Sequence, residues 1–125
     1  MGLLGFLGNA GDYSKDKATK EIQDLMIPNE DVELAFKTIR DKIIFTNLRL
    51  IVADVQGVTG SKVEYLSIPY SKINRFSVES RGTFDLDSEI KIWCSSSIEP
   101  TVSLQFSKNS HILDINRAIS AYTLL

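Results

Sequence analysis

Two side chains in this sequence could form a nucleophile and its base, and each type occurs once: Cys94 and His111. Such a dyad needs a thiolate beside an imidazole that takes its proton. Cys94 shares the parity of Ile90 and Ile92 in an alternating run, which predicts a buried, inert thiol. His111 precedes a helical pattern, where the helix dipole opposes its charged form. No dyad is expected. Asp85, Asp87 and Glu89, at i, i+2 and i+4, would converge on a hard cation if extended, but they lack the glycine and the further oxygen ligands of a calcium loop. They read as a solvated strand connection. No phosphate-cradling glycine loop, nucleophile elbow or Cys/His metal spacing is present. The expectation is a non-enzyme with no catalytic residue, no cofactor and no metal.

Arg49 is the charge that demands an explanation. It stands among apolar strand residues, and a buried unpaired charge is expensive, so it should meet a backbone carbonyl or a carboxylate. Its expected role is structural, fixing the corner between the second and third strands.

The elements that must position these groups follow from length and period. The chain has 125 residues, 43% apolar and 24% charged, which predicts one soluble domain with its own core. A single cysteine cannot close an internal disulfide, which fits a reducing compartment; the expected location is the cytoplasm. The net charge of −2 conceals a mildly basic middle, with 8 basic and 4 acidic side chains from Lys37 to Arg81. These are spread over several strands rather than gathered on one face, so no nucleic-acid partner is expected. No run approaches the ~18 apolar residues of a membrane-spanning helix. The apolar start, Met1 to Gly8, has no basic stretch before it and reads as retained; Phe6 stands where a myristoylation motif wants Ser or Thr.

Leu3, Leu4, Phe6 and Leu7 fall on one side of a helix, but Gly2, Gly5 and Gly8 each cost about 1 kcal/mol of helix propensity. This segment should order only by docking on the domain, on a neighbouring subunit or on a membrane surface. Ser14 is the expected N-cap of a helix to about Met26, with Ala18, Ile22, Leu25 and Met26 on its apolar stripe and Lys15, Asp16, Lys17, Lys20 and Glu21 on its charged face. Pro28 ends it. From Val32 the period becomes two, and strands are expected at Val32–Arg40, Lys42–Thr46, Leu48–Asp54, Lys62–Pro69, Lys72–Glu79, Glu89–Ser95 and Thr101–Ser107. Their short connections predict an antiparallel meander. Ile43-Ile44-Phe45 and Leu50-Ile51-Val52 are apolar on both faces, so something must cover their outside. After Asn109-Ser110, either of which could cap, Ile112, Ile115, Ile119 and Tyr122 return to helical spacing. Seven strands and one amphipathic helix suit a strongly bent barrel plugged by that helix.

Three motifs carry a resemblance. Phe45-Thr46-Asn47-Leu48-Arg49-Leu50, the corner Tyr65-Leu66-Ser67-Ile68-Pro69-Tyr70-Ser71-Lys72-Ile73, and the loop Arg81-Gly82-Thr83-Phe84-Asp85-Leu86-Asp87 resemble, in order and spacing, those of the bacterial pleckstrin-homology (PH) domain family, in its short single-domain branch. The resemblance covers nearly the whole chain. It implies a mainly β fold, a PH-like bent antiparallel barrel of about seven strands capped by a C-terminal α-helix, with an extra N-terminal helix. Residues 1–30 would be the apolar segment and leading helix, and 31–125 the barrel with its C-terminal helix. It further implies a binding or assembly module without catalysis and a tendency to homo-oligomers. The signalling members' Trp in the C-terminal helix is missing, since Trp93 lies on a strand. Their long basic loop between the first two strands is replaced by a tight turn at Arg40, Asp41 and Lys42, so phosphoinositide recognition does not carry over.

The expected partner is a second copy of the chain, with room for another protein. The residues expected at the contact are Leu3, Leu4, Phe6, Leu7, Ile22, Leu25, Ile44 and Ile51, the last two because a monomer would expose them unless the leading helix covers them. The alternative is a peripheral membrane module docking through the apolar N-terminus, helped by Lys15, Lys17 and Lys20 and opposed by Asp12, Asp16, Glu21 and Asp24.

Overall fold

Ser14 caps the first helix: its hydroxyl accepts from the Lys17 backbone N–H at 3.2 Å at the start of α1, Lys15–Ile22, as short polar N-caps do. The computed structural model describes residues 13–38, 40–80, 87–107 and 111–125. The helix is shorter than its periodicity suggests. After Ile22 the chain tightens into a 3₁₀ turn, Gln23–Leu25, and Met26 is already extended. Leu25 consequently leaves the apolar stripe and stands 41% exposed.

Seven strands follow: β1 Val32–Lys37, β2 Lys42–Thr46, β3 Arg49–Gln56, β4 Lys62–Pro69, β5 Arg75–Ser80, β6 Asp87–Trp93 and β7 Val102–Ser107. Helix α2, Ile112–Leu124, ends the chain. The second and fourth strands match the sequence expectation residue for residue, and the others shift where a local hydrogen bond wins. β1 stops at Lys37 because the Thr38 hydroxyl accepts from the Asp41 and Arg40 N–H groups, at 2.7 and 3.2 Å, and turns the chain. The expected start of the fifth strand at Lys72 is instead a 3₁₀ turn, Tyr70–Lys72, closed by the Ile73 N–H on the Tyr70 carbonyl at 3.2 Å. The loop between β3 and β4 needs left-handed backbone at two places, and Gly57 (φ 80°) and Gly60 (φ 68°) supply it, since a residue without Cβ adopts that region at no steric cost.

The strands pair antiparallel in two sheets, β1-β2-β3-β4 and β5-β6-β7. The described elements form two compact units, one ending at Pro69 and one starting at Tyr70.

In the first unit, Ala35, Ile44, Ile51 and Ser67 form one cross-strand row. Helix α1 lies on this face: Ala18 and Ile22 pack with Val32, Ala35, Ile44 and Ile51, and Tyr13, Met26 and Tyr65 close the margin. The opposite face is buried as well, through Leu34, Phe36, Ile43, Phe45, Leu50 and Val52, with Phe36 and Phe45 edge to face at 6.2 Å. The two-sided apolar strands thus have their cover, and it comes from the chain itself.

In the second unit, Ile90, Ile92, Val102, Leu104 and Phe106 are buried along β6 and β7. Helix α2 packs on β5, β6 and the Tyr70–Lys72 turn. Ile115 and Ile119 are fully buried, Ile112 nearly so, and Tyr122 stacks on Tyr70 at 4.2 Å with rings 7° from parallel. The expected stripe is therefore the packed one. The residue before the helix is His111, whose side chain makes no capping bond to the backbone; Asn109 and Ser110 lie outside the described residues.

Candidate interaction site

The most concentrated polar arrangement surrounds Arg49. Its Nε and Nη2 donate to the two oxygens of Glu30, at 2.8 and 2.9 Å, Nη2 also donates to the Leu25 carbonyl at 2.6 Å, and Nη1 donates to the Ser67 hydroxyl at 3.1 Å. Both kinds of partner expected from the sequence are present. The Glu30 side chain is wholly buried, so a two-pronged guanidinium is what makes its burial tolerable. Arg49 beside it holds this carboxyl below the ordinary value, against the opposing effect of burial, with help from the Thr46 hydroxyl and the Ile27 N–H, because bonds to the charged form favour it.

The rest of the Thr46-Asn47-Leu48-Arg49 motif explains itself around this pair. The Thr46 hydroxyl donates to Glu30 Oε2 at 2.7 Å and accepts from the Leu48 and Arg49 N–H groups. Asn47 accepts from the Asp31 N–H at 2.7 Å and donates to the Asn29 carbonyl at 2.9 Å, clamping a turn in which Asn29 takes φ 69°, a region that asparagine visits more readily than most residues. One corner between β2 and β3 thereby pins the linker from α1 to β1.

A second polar cluster fastens the far end of α1. Glu21 accepts from Tyr13 and Lys42 on one oxygen, both at 2.8 Å, and from Tyr65 on the other at 2.9 Å. The Lys42 ammonium also lies 4.8 Å over the Tyr13 ring, a cation–π placement. Burial pushes the Glu21 carboxyl up, but the bonds from Lys42, Tyr13 and Tyr65 outweigh it and leave it below its ordinary range, the same competition between desolvation and hydrogen bonding. Burial and the Glu21 carboxylate push both phenols up. Glu21, which the sequence places on a solvated face, is thus an anchor on the sheet side, because the register sets Lys42 and Tyr65 beneath it.

The expected contact residues are distributed unevenly. Ile22, Ile44 and Ile51 are corrected to core: all three are fully buried within one chain, since α1 covers the row that a neighbouring subunit was expected to share. Leu25 alone of the described set is exposed. Leu3, Leu4, Phe6 and Leu7 lie outside the described residues. Two exposed apolar residues that the sequence reading missed, Ile27 (57%) and Leu48 (45%), join Leu25 at the Arg49 corner. The signal for them is present: Leu48 sits inside the motif, and Ile27 directly precedes Pro28.

The chemistry-bearing residues are placed as follows. Cys94 is corrected from buried to half-buried, because β6 ends at Trp93 and Cys94 enters a loop. That loop is held by Arg75, 4.6 Å over the Trp93 ring and bonded to the Ser95 and Ser97 carbonyls, and by the Trp93 indole N–H on the Ile98 carbonyl at 2.9 Å. His111 Nδ1 stands 3.3 Å from an Asp114 oxygen. Glu89 accepts from the Ser103 hydroxyl and lies 3.6 Å from Lys91, while Asp85 falls outside the described residues. Among the described residues no group of three His, Cys, Asp or Glu could hold a metal, and no helix is long and apolar enough to cross a membrane.

Comparison with known proteins gives this arrangement its family. The model of the bacterial PH domain matches residues 3–123. The uncharacterized protein YjqA of Bacillus subtilis is 50% identical over 122 residues, which is 97% of this chain and 98% of that one. Among solved structures, a pleckstrin homology domain from Shewanella amazonensis superposes with a TM-score of 0.84 at 40% identity, covering 97% of both chains. A pleckstrin-homology protein from Shewanella loihica gives 0.74 at 41% identity, covering 93% of this chain and 98% of its own. The fold is PH-like and mainly β, with two antiparallel sheets, a C-terminal helix and an added N-terminal helix, and the chain belongs to the bacterial PH domain family.

Proposed function

We propose that this chain is a non-catalytic PH-like binding and assembly module that self-associates into a homo-oligomer. The observation that carries the reading is the corner of Leu25, Ile27 and Leu48. The backbone of each is tied to one polar hub: the Leu25 carbonyl to Arg49, the Ile27 N–H to Glu30 at 3.2 Å, and the Leu48 N–H to the Thr46 hydroxyl at 3.1 Å. Exposed apolar side chains on a fixed backbone lose little freedom when they are covered, which is what a contact surface requires. Light scattering or native mass spectrometry at tens of micromolar tests it. The expected mass is a multiple of the 14.0 kDa chain, reduced by Ile27→Asp or Leu48→Asp. A strict monomer overturns the reading.

One observation favours a second reading, peripheral membrane attachment. Lys15, Lys17 and Lys20 are all exposed on α1, directly after the apolar N-terminus, as an anionic lipid surface would want. Asp16 and Asp24 are exposed beside them and dilute the effect. Co-sedimentation with phosphatidylserine vesicles, with and without residues 1–11, decides: equal pelleting of both proteins removes this reading.

A further inference from the structure

Helix α1 is held to its sheet differently from the strands beneath it. Neighbouring strands among β1, β2, β3 and β4 are joined by backbone ladders, whereas among the described residues no backbone hydrogen bond joins α1 itself to a strand. Its hold consists of two buried side chains, Ala18 and Ile22, and one carboxylate, Glu21, which accepts from Tyr13, Lys42 and Tyr65. Lys15 in the first turn adds a charge attraction to Glu33 on β1. The chain is fastened again just outside the helix at both ends. The Tyr13 N–H donates to the Ala35 carbonyl at 3.2 Å, and Arg49 holds the Leu25 carbonyl at 2.6 Å. The eight residues between these fastenings are too few to stay helical in water without a surface beneath them.

We propose that α1 is a releasable strap: it lifts from the sheet as one unit while the four strands stay paired, with Glu21 as the catch and protonation of that carboxylate as the release. The geometry separates what lifts from what stays. Ala18 and Ile22 lie on one face of the sheet, over Val32, Ala35, Ile44 and Ile51, while Phe36, Phe45, Leu50 and Val52 are buried on the face away from the helix. The ladder between β2 and β3 uses neither helix side chain. Elements with few buried apolar contacts and no ladder are the ones that open locally, below the energy of global unfolding. The catch is electrostatic. Lys42 on β2 and Tyr65 on β4 face Glu21 from the sheet, and Tyr13 faces it from the chain ahead of the helix, with Lys37 of β1 5.6 Å over the Tyr13 ring. The nearby charges on and after α1, Lys17, Lys20 and Asp24, are exposed. The Glu21 side chain is 16% exposed, so protons reach it before the strap lifts. Protonation removes the charge that the ammonium and the two phenols hold, so the closed form takes this proton less readily than the lifted one and acid favours lifting. Lifting uncovers the apolar row under α1 and leaves the Arg49 corner in place. The inference does not rest on self-association, and its test is read within one chain.

Native-state hydrogen exchange on the full chain, with each amide corrected for its intrinsic rate, tests this. In the natural chain the amides of residues 18–22 should be less protected than those of β2 and β3 by about tenfold or more, because they open by the cheaper local route. Glu21→Gln should lower protection in α1 by about tenfold further, the loss expected for hydrogen bonds to a charged group. Val52→Ala, on the face away from the helix, should lower protection in β2 and β3 and leave α1 unchanged, because the lifted state keeps that face packed. Between about pH 6 and about pH 4 protection in α1 should fall severalfold in the natural chain and stay flat in Glu21→Gln. Equal protection of α1 and the two strands, or a parallel loss in Val52→Ala, means that helix and sheet open only together and overturns the strap. Protection in α1 that Glu21→Gln does not lower, or a pH response that survives this substitution, overturns the catch.

Discussion

Arg49 and Glu30, nineteen residues apart, meet through two parallel hydrogen bonds of 2.8 and 2.9 Å, one partner partly open to solvent and the other wholly enclosed. This asymmetry sets the consequence of breaking the pair. Losing Arg49 leaves a buried carboxylate without its cation, whereas losing Glu30 leaves a guanidinium that can still reach water.

Arg49→Met should therefore destabilise the chain by about 3–5 kcal/mol, the usual range for stranding one partner of a buried pair. Glu30→Gln should cost less, and adding it to Arg49→Met should recover part of the loss, because the stranded charge is gone. Urea unfolding of the three variants checks this. Equal losses for the two single variants would mean that the corner is held by its backbone bonds and not by the charge pair.

The acid side of stability follows from the same carboxylate and from Glu21. Both hold their protons less tightly folded than unfolded, from an ordinary value of 4.5. Near and below that value the unfolded chain therefore binds more protons, and stability falls as pH falls. The urea midpoint should be flat from about pH 6 to 7 and drop as pH passes below about 4.5. Glu21→Gln should start from a lower plateau and show a shallower fall.

The alkaline side runs through Tyr13 and Tyr65, raised by burial and by the Glu21 carboxylate, and through Lys42, which Glu21 raises against the opposing effect of burial. A raised group keeps its proton in the folded state where the unfolded chain has lost it. Its contribution is complete below the unfolded value near 10 and is lost as pH rises beyond it. Tyrosinate absorbance, assigned with Tyr13→Phe and Tyr65→Phe, should show these two phenols titrating above their ordinary value of 10, and Glu21→Gln should bring them back toward it. Unchanged titration of these two phenols in Glu21→Gln would show that the cluster does not persist in solution.

Much of the fold is legible in the sequence because its signals are local. Short β-prone runs bounded by turn residues mark β2 and β4 to the residue, and Ser14 announces α1. The unpaired look of Arg49 in an apolar run tells of a partner but not which one. Glu30, Asp31 and Glu33 all lie in or beside the start of β1, and only the turn fixed by Asn29 and Asn47 selects Glu30. Glu21 deceives for a related reason. A helix charge looks solvated until the sheet register, set by pairings as distant as Ala53 with Tyr65, places a lysine and a tyrosine below it. Ile44 and Ile51 look as though they need a neighbouring subunit because no sequence pattern reveals that Ala18 and Ala35 are small enough for α1 to seat directly on the sheet. Cys94 carries the parity of a strand residue, yet the Thr101 hydroxyl, accepting from the Cys94 N–H at 3.0 Å, turns the loop early.

Helix α2 offers a comparison in which sequence distance is negligible and burial decides everything. Ile115 is fully buried and Leu113, two residues earlier, is 64% exposed. Truncating a buried isoleucine to alanine removes its transfer free energy and leaves a cavity that neighbours only partly refill, typically a loss of about 2–5 kcal/mol. The same truncation at an exposed leucine usually stays within about 0.5 kcal/mol. Against a total of roughly 5–15 kcal/mol for a domain, Ile115→Ala should lower the unfolding midpoint by a large fraction while Leu113→Ala leaves it nearly in place. Both transitions should be followed by tryptophan fluorescence, which reports Trp93 on β6, and by circular dichroism at a helix wavelength. Coincident transitions in Ile115→Ala would show that α2 and the sheet it packs on unfold as one cooperative unit. A helix signal lost before the Trp93 signal would mean that α2 is an appended element, and the packing of Ile115 and Ile119 would then not be what holds β5 and β6 together.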